Sequence, residues 1–222
     1  LFGFDDAVAH RNIVGVLQDE RELGLQGIRM RKYGQEIIRL LTGKRVHGTG
    51  SVPGGFNKPL SVADRDLMRA DIGQIIAWCD SALALARDLF LRGQPEQGRF
   101  ANFPSGFMSL VRPDGAADLY DGALRVKDAQ GQLIVDQVDV HDYQQLIVEE
   151  VKPWTYMKFP HLRALGPEHG WYRVGPLARI NNATYLDTPR AEAARAEFIA
   201  WGGGQPVTAS LAQHWARMID TL

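Results

Sequence analysis

Cysteine is nearly missing from this chain of 222 residues: Cys79 stands alone. A lone thiol makes no internal disulfide and no intact CxxC metal or redox motif within these residues. Long apolar runs are missing too, since none approaches the roughly 20 residues that cross a bilayer. The longest candidate, Ile72 to Leu91, carries Asp80, Arg87 and Asp88. We therefore expect no membrane span, and without a signal-peptide pattern the default location is cytoplasmic. Charge of one sign is absent as well, with 25 Lys and Arg against 26 Asp and Glu, so nothing pulls the chain towards nucleic acid or anionic lipid. The six histidines, His10, His47, His141, His161, His169 and His214, never fall three or four residues apart, so no helical face offers a metal two imidazoles. An initiator methionine is lacking, and Asp220-Thr221-Leu222 ends inside a helical pattern. We expect an internal piece of a larger protein.

What is present is mostly helical periodicity. Asp6 to Gln18 and Leu23 to Leu41 place Val8, Ile13, Val14 and Leu17, then Met30, Gly34, Ile37, Ile38 and Leu41, near i, i+3, i+4 spacing, which predicts two amphipathic helices. Thr42-Gly43 ends the second. Ser61 and Asp64 resemble a capping box, and Leu67, Ile75, Ile76, Cys79, Leu83, Ala86, Leu89 and Phe90 continue one face to Leu91. That predicts one helix of about thirty residues, a length suited to a large bundle. On this stripe Cys79 reads as a small buried hydrophobe.

From Leu119 to Val140 the period changes to two, and Leu124/Val126 with Leu133/Val135 flank Asp128-Ala129-Gln130-Gly131, the pattern of a β-hairpin. His141 to Val151 predicts a short helix stopped by Pro153, with Asp139, His141 and Asp142 as capping and first-turn residues. Lys152 to Asn182 reads as a long irregular stretch, which is usually functional or interfacial. Thr188-Pro189 starts a helix to about Trp201, and Thr208 is expected to cap a final one. The fold class expected is mainly α (α+β), a long-helix bundle with a small β-hairpin insertion.

Val46 to Asn57 holds five Gly or Pro among twelve residues between two helical patterns. A phosphate-loop reading fails on order: a Walker lysine follows its glycines into a helix, whereas Lys44 precedes them, and a dinucleotide fingerprint needs a preceding strand. No Ser/His/Asp or Cys/His arrangement can be nominated from spacing, because such groups assemble in space.

The same residues carry a family likeness. Gly43-Lys-Arg-Val-His-Gly-Thr-Gly-Ser-Val-Pro-Gly-Gly55, Tyr156-Met-Lys-Phe-Pro-His-Leu162 and Arg173-Val-Gly-Pro-Leu-Ala-Arg179 together resemble the central part of the large subunit of nickel-iron hydrogenases, in the soluble, bidirectional, NAD-linked branch. The likeness covers essentially residues 1–222 as one central segment, without the N- and C-terminal metal-binding portions. It implies a cytoplasmic enzyme that reversibly oxidises dihydrogen and passes electrons through an iron-sulfur small subunit, with diaphorase subunits, towards NAD(P). It also implies a Ni-Fe centre with CO and cyanide ligands, held in the complete subunit by four cysteines from two CxxC pairs. Neither pair is in this sequence, so no catalytic residue or metal ligand is assigned here, and the chain alone is expected to be inactive.

Residue by residue, the resemblance places His47 where the large subunit faces the small subunit's iron-sulfur cluster. Pro53, Gly54 and Gly55 would let the backbone pass close to that partner. Lys158, Pro160, Gly175, Pro176 and Arg179 match structural or interfacial positions. Gly48 stands where many membrane-bound relatives have proline, which favours the soluble branch. The alternative is a metal-free relative of the NADH dehydrogenase large subunit that works in quinone reduction, which would lack the terminal CxxC pairs.

Overall fold

A computed structural model describes residues 7–222. The chain divides into two compact units, Leu1–Trp78 and Cys79–Leu222. Among the described residues no helix is long and apolar enough to cross a membrane.

In the first unit a 3-10 turn, Val8–His10, precedes α1 (Ile13–Asp19) and α2 (Arg21–Thr42). The predicted helix start at Asp6 lies outside the described residues. Asn12 sets the observed start, accepting from the N–H groups of Val14 at 2.9 Å and Gly15 at 3.2 Å, donors that a first turn otherwise leaves unpaired. The buried positions of α1 are Gly15 and Val16, while Ile13 and Val14 stay exposed. Gly15 faces the preceding turn so closely that a Cβ would lie 2.2 Å from the His10 carbonyl oxygen. α2 ends as expected: Gly43, at φ 80°, is its left-handed cap and donates to the Arg39 carbonyl at 2.8 Å.

A two-residue hairpin, β1 (Ser51–Val52) with β2 (Gly55–Phe56), leads to α3 (Val62–Ala70) and α4 (Ile72–Arg92). Ser61 caps α3 by accepting from the Asp64 N–H at 3.0 Å. The predicted thirty-residue helix is therefore two helices. Asp71, at φ −102° and ψ 1°, interrupts it, where Asp-Ile-Gly supplies two weak helix formers in three residues. Tyr33 ties α2 to α3 by donating to the Met68 carbonyl at 2.6 Å.

α4 continues into the second unit, followed by α5 (Glu96–Arg99), β3 (Gly106–Val111), β4 (Ala123–Lys127), β5 (Leu133–Val138) and α6 (Tyr143–Leu146). Then come β6 (Ile147–Val151), β7 (Lys158–Leu162), α7 (Gly166–His169), β8 (Tyr172–Arg173), α8 (Pro176–Asn182), α9 (Pro189–Trp201) and α10 (Ala212–Ile219). The expected hairpin is β4–β5, with Val126 opposite Val135. Asp128 closes its turn, accepting from Gln130 and Gln132 at 2.9 and 2.8 Å, and Gly131 takes φ 84°. This hairpin belongs to a four-stranded sheet ordered β5-β4-β3-β8, with β8 parallel to β3.

Three further expectations need correction. The helix predicted over 141–151 shrinks to a 3-10 turn, Val140–Asp142, and one α turn, because Ile147, Val148 and Val151 pair antiparallel with β7 instead. β-branched residues favour that pleated pairing once a partner strand exists. Asp139 does cap this turn, accepting from the His141 N–H at 2.8 Å. The supposedly irregular 152–182 contains β7, α7, β8 and α8. Finally, α10 starts after Leu211 without a side-chain cap, so Thr208 does not serve as one.

β3 explains why the second unit holds together. Phe107 and Met108, adjacent on that strand, enter different core clusters: Phe107 joins Leu177, Ile180, Phe198, Trp215 and Ile219, whereas Met108 joins Val126 and Leu162. Alternation along the strand sends neighbours to opposite faces, so a strand covered on both sides is apolar nearly throughout. The fold is mainly helical with small sheets, as expected.

Candidate functional site

The loop after α2 is built to return to its own helix. Lys58 donates to the Leu40 carbonyl at 2.8 Å and pairs with Asp64 at 3.0 Å. Asn57 donates from its N–H to the Gly50 carbonyl at 2.9 Å and from Nδ2 to the Thr49 carbonyl at 2.7 Å. Arg45 and Arg39 both hold Glu36, whose carboxyl they keep below the usual glutamate range. Lys58, with Ser61, does the same for Asp64. These ion pairs are largely exposed, so solvent screens most of their strength.

His47, between Gly43 and the β1–β2 hairpin, takes φ 49°. It is exposed, and among the described residues no hydrogen bond engages its ring. Positive φ is uncommon outside glycine, although histidine tolerates it better than most. Gly48 is forced: a Cβ there would lie 2.2 Å from Thr42 Oγ1. Pro53 and Gly54 are the central turn residues of the β1–β2 hairpin, and Gly54 at φ 89° fits the third position of a type II turn. Gly55 follows at φ 149°. A Cβ on either glycine would meet nothing within 4 Å, so within this chain the backbone conformation, not crowding, selects glycine.

The remaining residues picked from sequence lie in the second unit. Lys158 and Pro160 are exposed on β7, opposite Val151 and Glu149. Gly175, at φ 79°, and Pro176 open α8, where the missing N–H of proline is harmless. Arg179 leaves α8 to pair through Nε and Nη2 with Asp220, just past α10. The structure thus joins Gly175, Pro176 and Arg179 on one helix and puts Lys158 and Pro160 on a different element.

Sequence reasoning missed the end of α8. Asn182, fully buried, has its Nδ2 at 3.0–3.1 Å from the Phe107 carbonyl, Ser109 Oγ and the Arg125 carbonyl. Asn181 exchanges two bonds with Val207, accepting from its N–H at 2.9 Å and donating to its carbonyl at 3.0 Å. Three cations gather on the carbonyls that this helix leaves unpaired: Lys127 on Asn181 at 3.0 Å, Arg125 on Asn182 at 3.4 Å, and Arg195 on Ala183 at 2.6 Å. Cations at a helix C-terminus complement its dipole. Burial, with Arg125 and Arg195 adjacent, lowers the Lys127 pKa. The available signal was the Asn181-Asn182 pair closing an apolar helix.

Among the described residues, no group of three or more His, Cys, Asp or Glu is placed to hold a metal. Cys79 is buried, and burial followed by the Asp80 charge pushes its thiol up in pKa, away from the thiolate that binds soft metals. The donor set in this chain does not fit a thiolate-held Ni-Fe centre.

No protein-family model matches the chain. Individual proteins do. The chain is 39% identical over 228 residues to the NAD-reducing hydrogenase HoxS subunit beta of Cupriavidus necator, covering 100% of this chain and 46% of that one. It is 34% identical over 220 residues to one of the subunits of the vhu F420-non-reducing hydrogenase of Methanocaldococcus jannaschii, covering 99% and 52%. A crystal structure of an NAD+-reducing [NiFe]-hydrogenase in the H2-reduced state superposes with a TM-score of 0.93 at 46% identity, over 99% of this chain and 49% of that chain. The homologues are hydrogenase subunits, and this chain spans about half the length of each.

Proposed function

We propose that this chain is the central segment of the large subunit of a cytoplasmic nickel-iron hydrogenase that oxidises dihydrogen reversibly and delivers electrons towards NAD(P). The observation that carries the reading is end-to-end: sequence and fold both follow an NAD+-reducing [NiFe]-hydrogenase across nearly the whole chain. The three motifs, including the loop at His47, sit inside that match.

In this reading the partners are diaphorase subunits and an iron-sulfur small subunit, and the metal-binding thiolates belong to parts of the large subunit outside these residues. The chain's own contribution is positional. The His47 loop presents an unengaged imidazole at the face that meets the small subunit, with Pro53, Gly54 and Gly55 keeping that face free of side-chain bulk. An imidazole N–H beside a cluster sulfur raises the cluster's reduction potential by stabilising its more negative state. Lys158, Pro160, Gly175, Pro176 and Arg179 keep the second unit in shape.

The test uses the complete complex that carries this chain. Purified from cells grown with nickel, it should contain nickel and reduce NAD+ with dihydrogen. His47→Leu should lower the potential of the adjacent cluster and slow electron transfer while nickel content stays normal. A complex without nickel or dihydrogen activity that reduces quinone instead would move the protein to the metal-free relatives. Unchanged potential and turnover in His47→Leu would remove the role given to the loop.

A further inference from the structure

His47 holds a positive φ of 49°, and among the described residues no hydrogen bond or ion pair of its ring accounts for it. An exposed residue keeps such a backbone only where its neighbours over-determine it, so the neighbours identify what sets the imidazole in place. On the N-terminal side, Thr42 Oγ1 lies 2.8 Å from the Ile38 carbonyl and 3.2 Å from the Lys44 carbonyl. The same side chain fills the space beside Gly48, where a Cβ would come within 2.2 Å of Oγ1 and 2.6 Å of the threonine Cβ. Thr42 therefore contacts the chain on both sides of His47. On the C-terminal side, Asn57 binds the consecutive carbonyls of Thr49 and Gly50 at 2.7 and 2.9 Å. Residues 45–47 lie between these two holds. Arg45 also reaches Glu36, but that pair is exposed and weakens with salt, whereas a threonine or asparagine bonded to backbone carbonyls does not.

We propose that Thr42 and Asn57 are positioning residues that clamp the His47 loop in the conformation its partner subunit meets. The inference rests on the reading of this loop as the small-subunit face. The hydrogen bonds and the Gly48 contact act on the loop backbone, so the two residues affect electron transfer only through His47.

A double-mutant cycle in the complete hydrogenase complex tests this. Asn57→Asp keeps the shape of the side chain but replaces the Nδ2 donor with an oxygen facing the Thr49 carbonyl, and Thr42→Val keeps the branch but removes the hydroxyl. Each is made alone and with His47→Leu. Nickel content, the cluster potential from redox titration followed by electron paramagnetic resonance, and the rate of electron delivery are measured at low and high salt. Each single variant should keep its nickel, shift the potential in the same direction as His47→Leu and slow delivery about three- to tenfold. In the His47→Leu background neither should add anything, and high salt should not reproduce the effect in the parent.

Additive effects in the two backgrounds would overturn the proposal, because the residues would then act elsewhere. So would a normal potential in both single variants, or failure of both to assemble, which would assign them to folding alone. If His47→Leu alone changes nothing, the interface reading itself falls and takes the clamp with it. If His47→Leu acts and the other two do not, only the clamp falls.

Discussion

The Arg125 guanidinium grips both carboxylate oxygens of Asp136, Nε to Oδ1 at 2.8 Å and Nη2 to Oδ2 at 3.0 Å. Its third nitrogen lies 3.4 Å from the Asn182 carbonyl. One side chain thus joins the β4–β5 hairpin to the end of α8, and the fork lowers the Asp136 pKa. Asp136→Asn should reduce stability at pH 7 by about 1–3 kcal/mol, since it leaves a nearly buried guanidinium without its charged acceptor. A carboxyl whose folded pKa is depressed contributes fully above its unfolded value of about 3.9 and loses that contribution as pH falls through the folded value. Thermal melts of parent and variant should therefore differ at neutral pH and converge below about pH 4. A difference that persists undiminished in acid would show that the charge is not the source.

Trp215 is almost completely buried, edge-on to Phe198 with ring centroids 4.9 Å apart, and lies near Phe90 and Trp201. Trp215→Ala should cost about 3–5 kcal/mol through lost burial and the cavity left behind. Trp215→Phe should cost clearly less in the same denaturant titration, and equal losses would mean the indole matters for something other than packing.

Two glycines should respond to alanine in opposite directions. At Gly170 a Cβ would meet the Gly166 carbonyl oxygen at 2.6 Å and the Leu162 carbonyl oxygen and nitrogen at 2.7 and 2.8 Å. These are all backbone atoms and cannot swing aside, so Gly170→Ala should destabilise by about 1–3 kcal/mol. Gly27 lies inside α2 with nothing within 4 Å of a Cβ, and Gly27→Ala should stabilise by about 0.5–1 kcal/mol. Melting temperatures that move the same way would contradict both assignments.

Arg179 and Asp220 tie α8 to the end of α10 and are both largely buried side chains, 25% and 16% exposed. Under the hydrogenase reading proposed above, Arg179→Ala in the complete subunit should reduce yield or maturation more than it alters the affinity for dihydrogen, at a stability loss of about 1–3 kcal/mol. Normal yield and nickel content, with weakened affinity for dihydrogen, would place this arginine in the reaction rather than in the scaffold.

The tight turns bounding and within the loop at 46–57 were legible because glycine and proline act through their own backbone. Gly43, Gly54 and Gly55 take the positive φ values that only glycine adopts freely. The Ser61 cap, the β4–β5 turn at Asp128 and the start of α9 at Thr188-Pro189 were legible for the same reason, since each rests on contacts within a few residues. The clamp around His47 was not. Nothing in the sequence says that Thr42 occupies the Cβ space of Gly48, or that Asn57 reaches Thr49 rather than solvent.

The sequence by itself determined the end of α2 at Gly43, the cap at Ser61, the turn at Asp128 and which family it resembles, because caps, turns and motifs are local. The tertiary structure alone decided that 147–151 is a strand and that Asn182 binds Phe107, 75 residues away. A β-branched segment takes its conformation from the strand it pairs with, and a buried amide is tolerable only where distant carbonyls converge on it. Those partners exist only once the chain has folded.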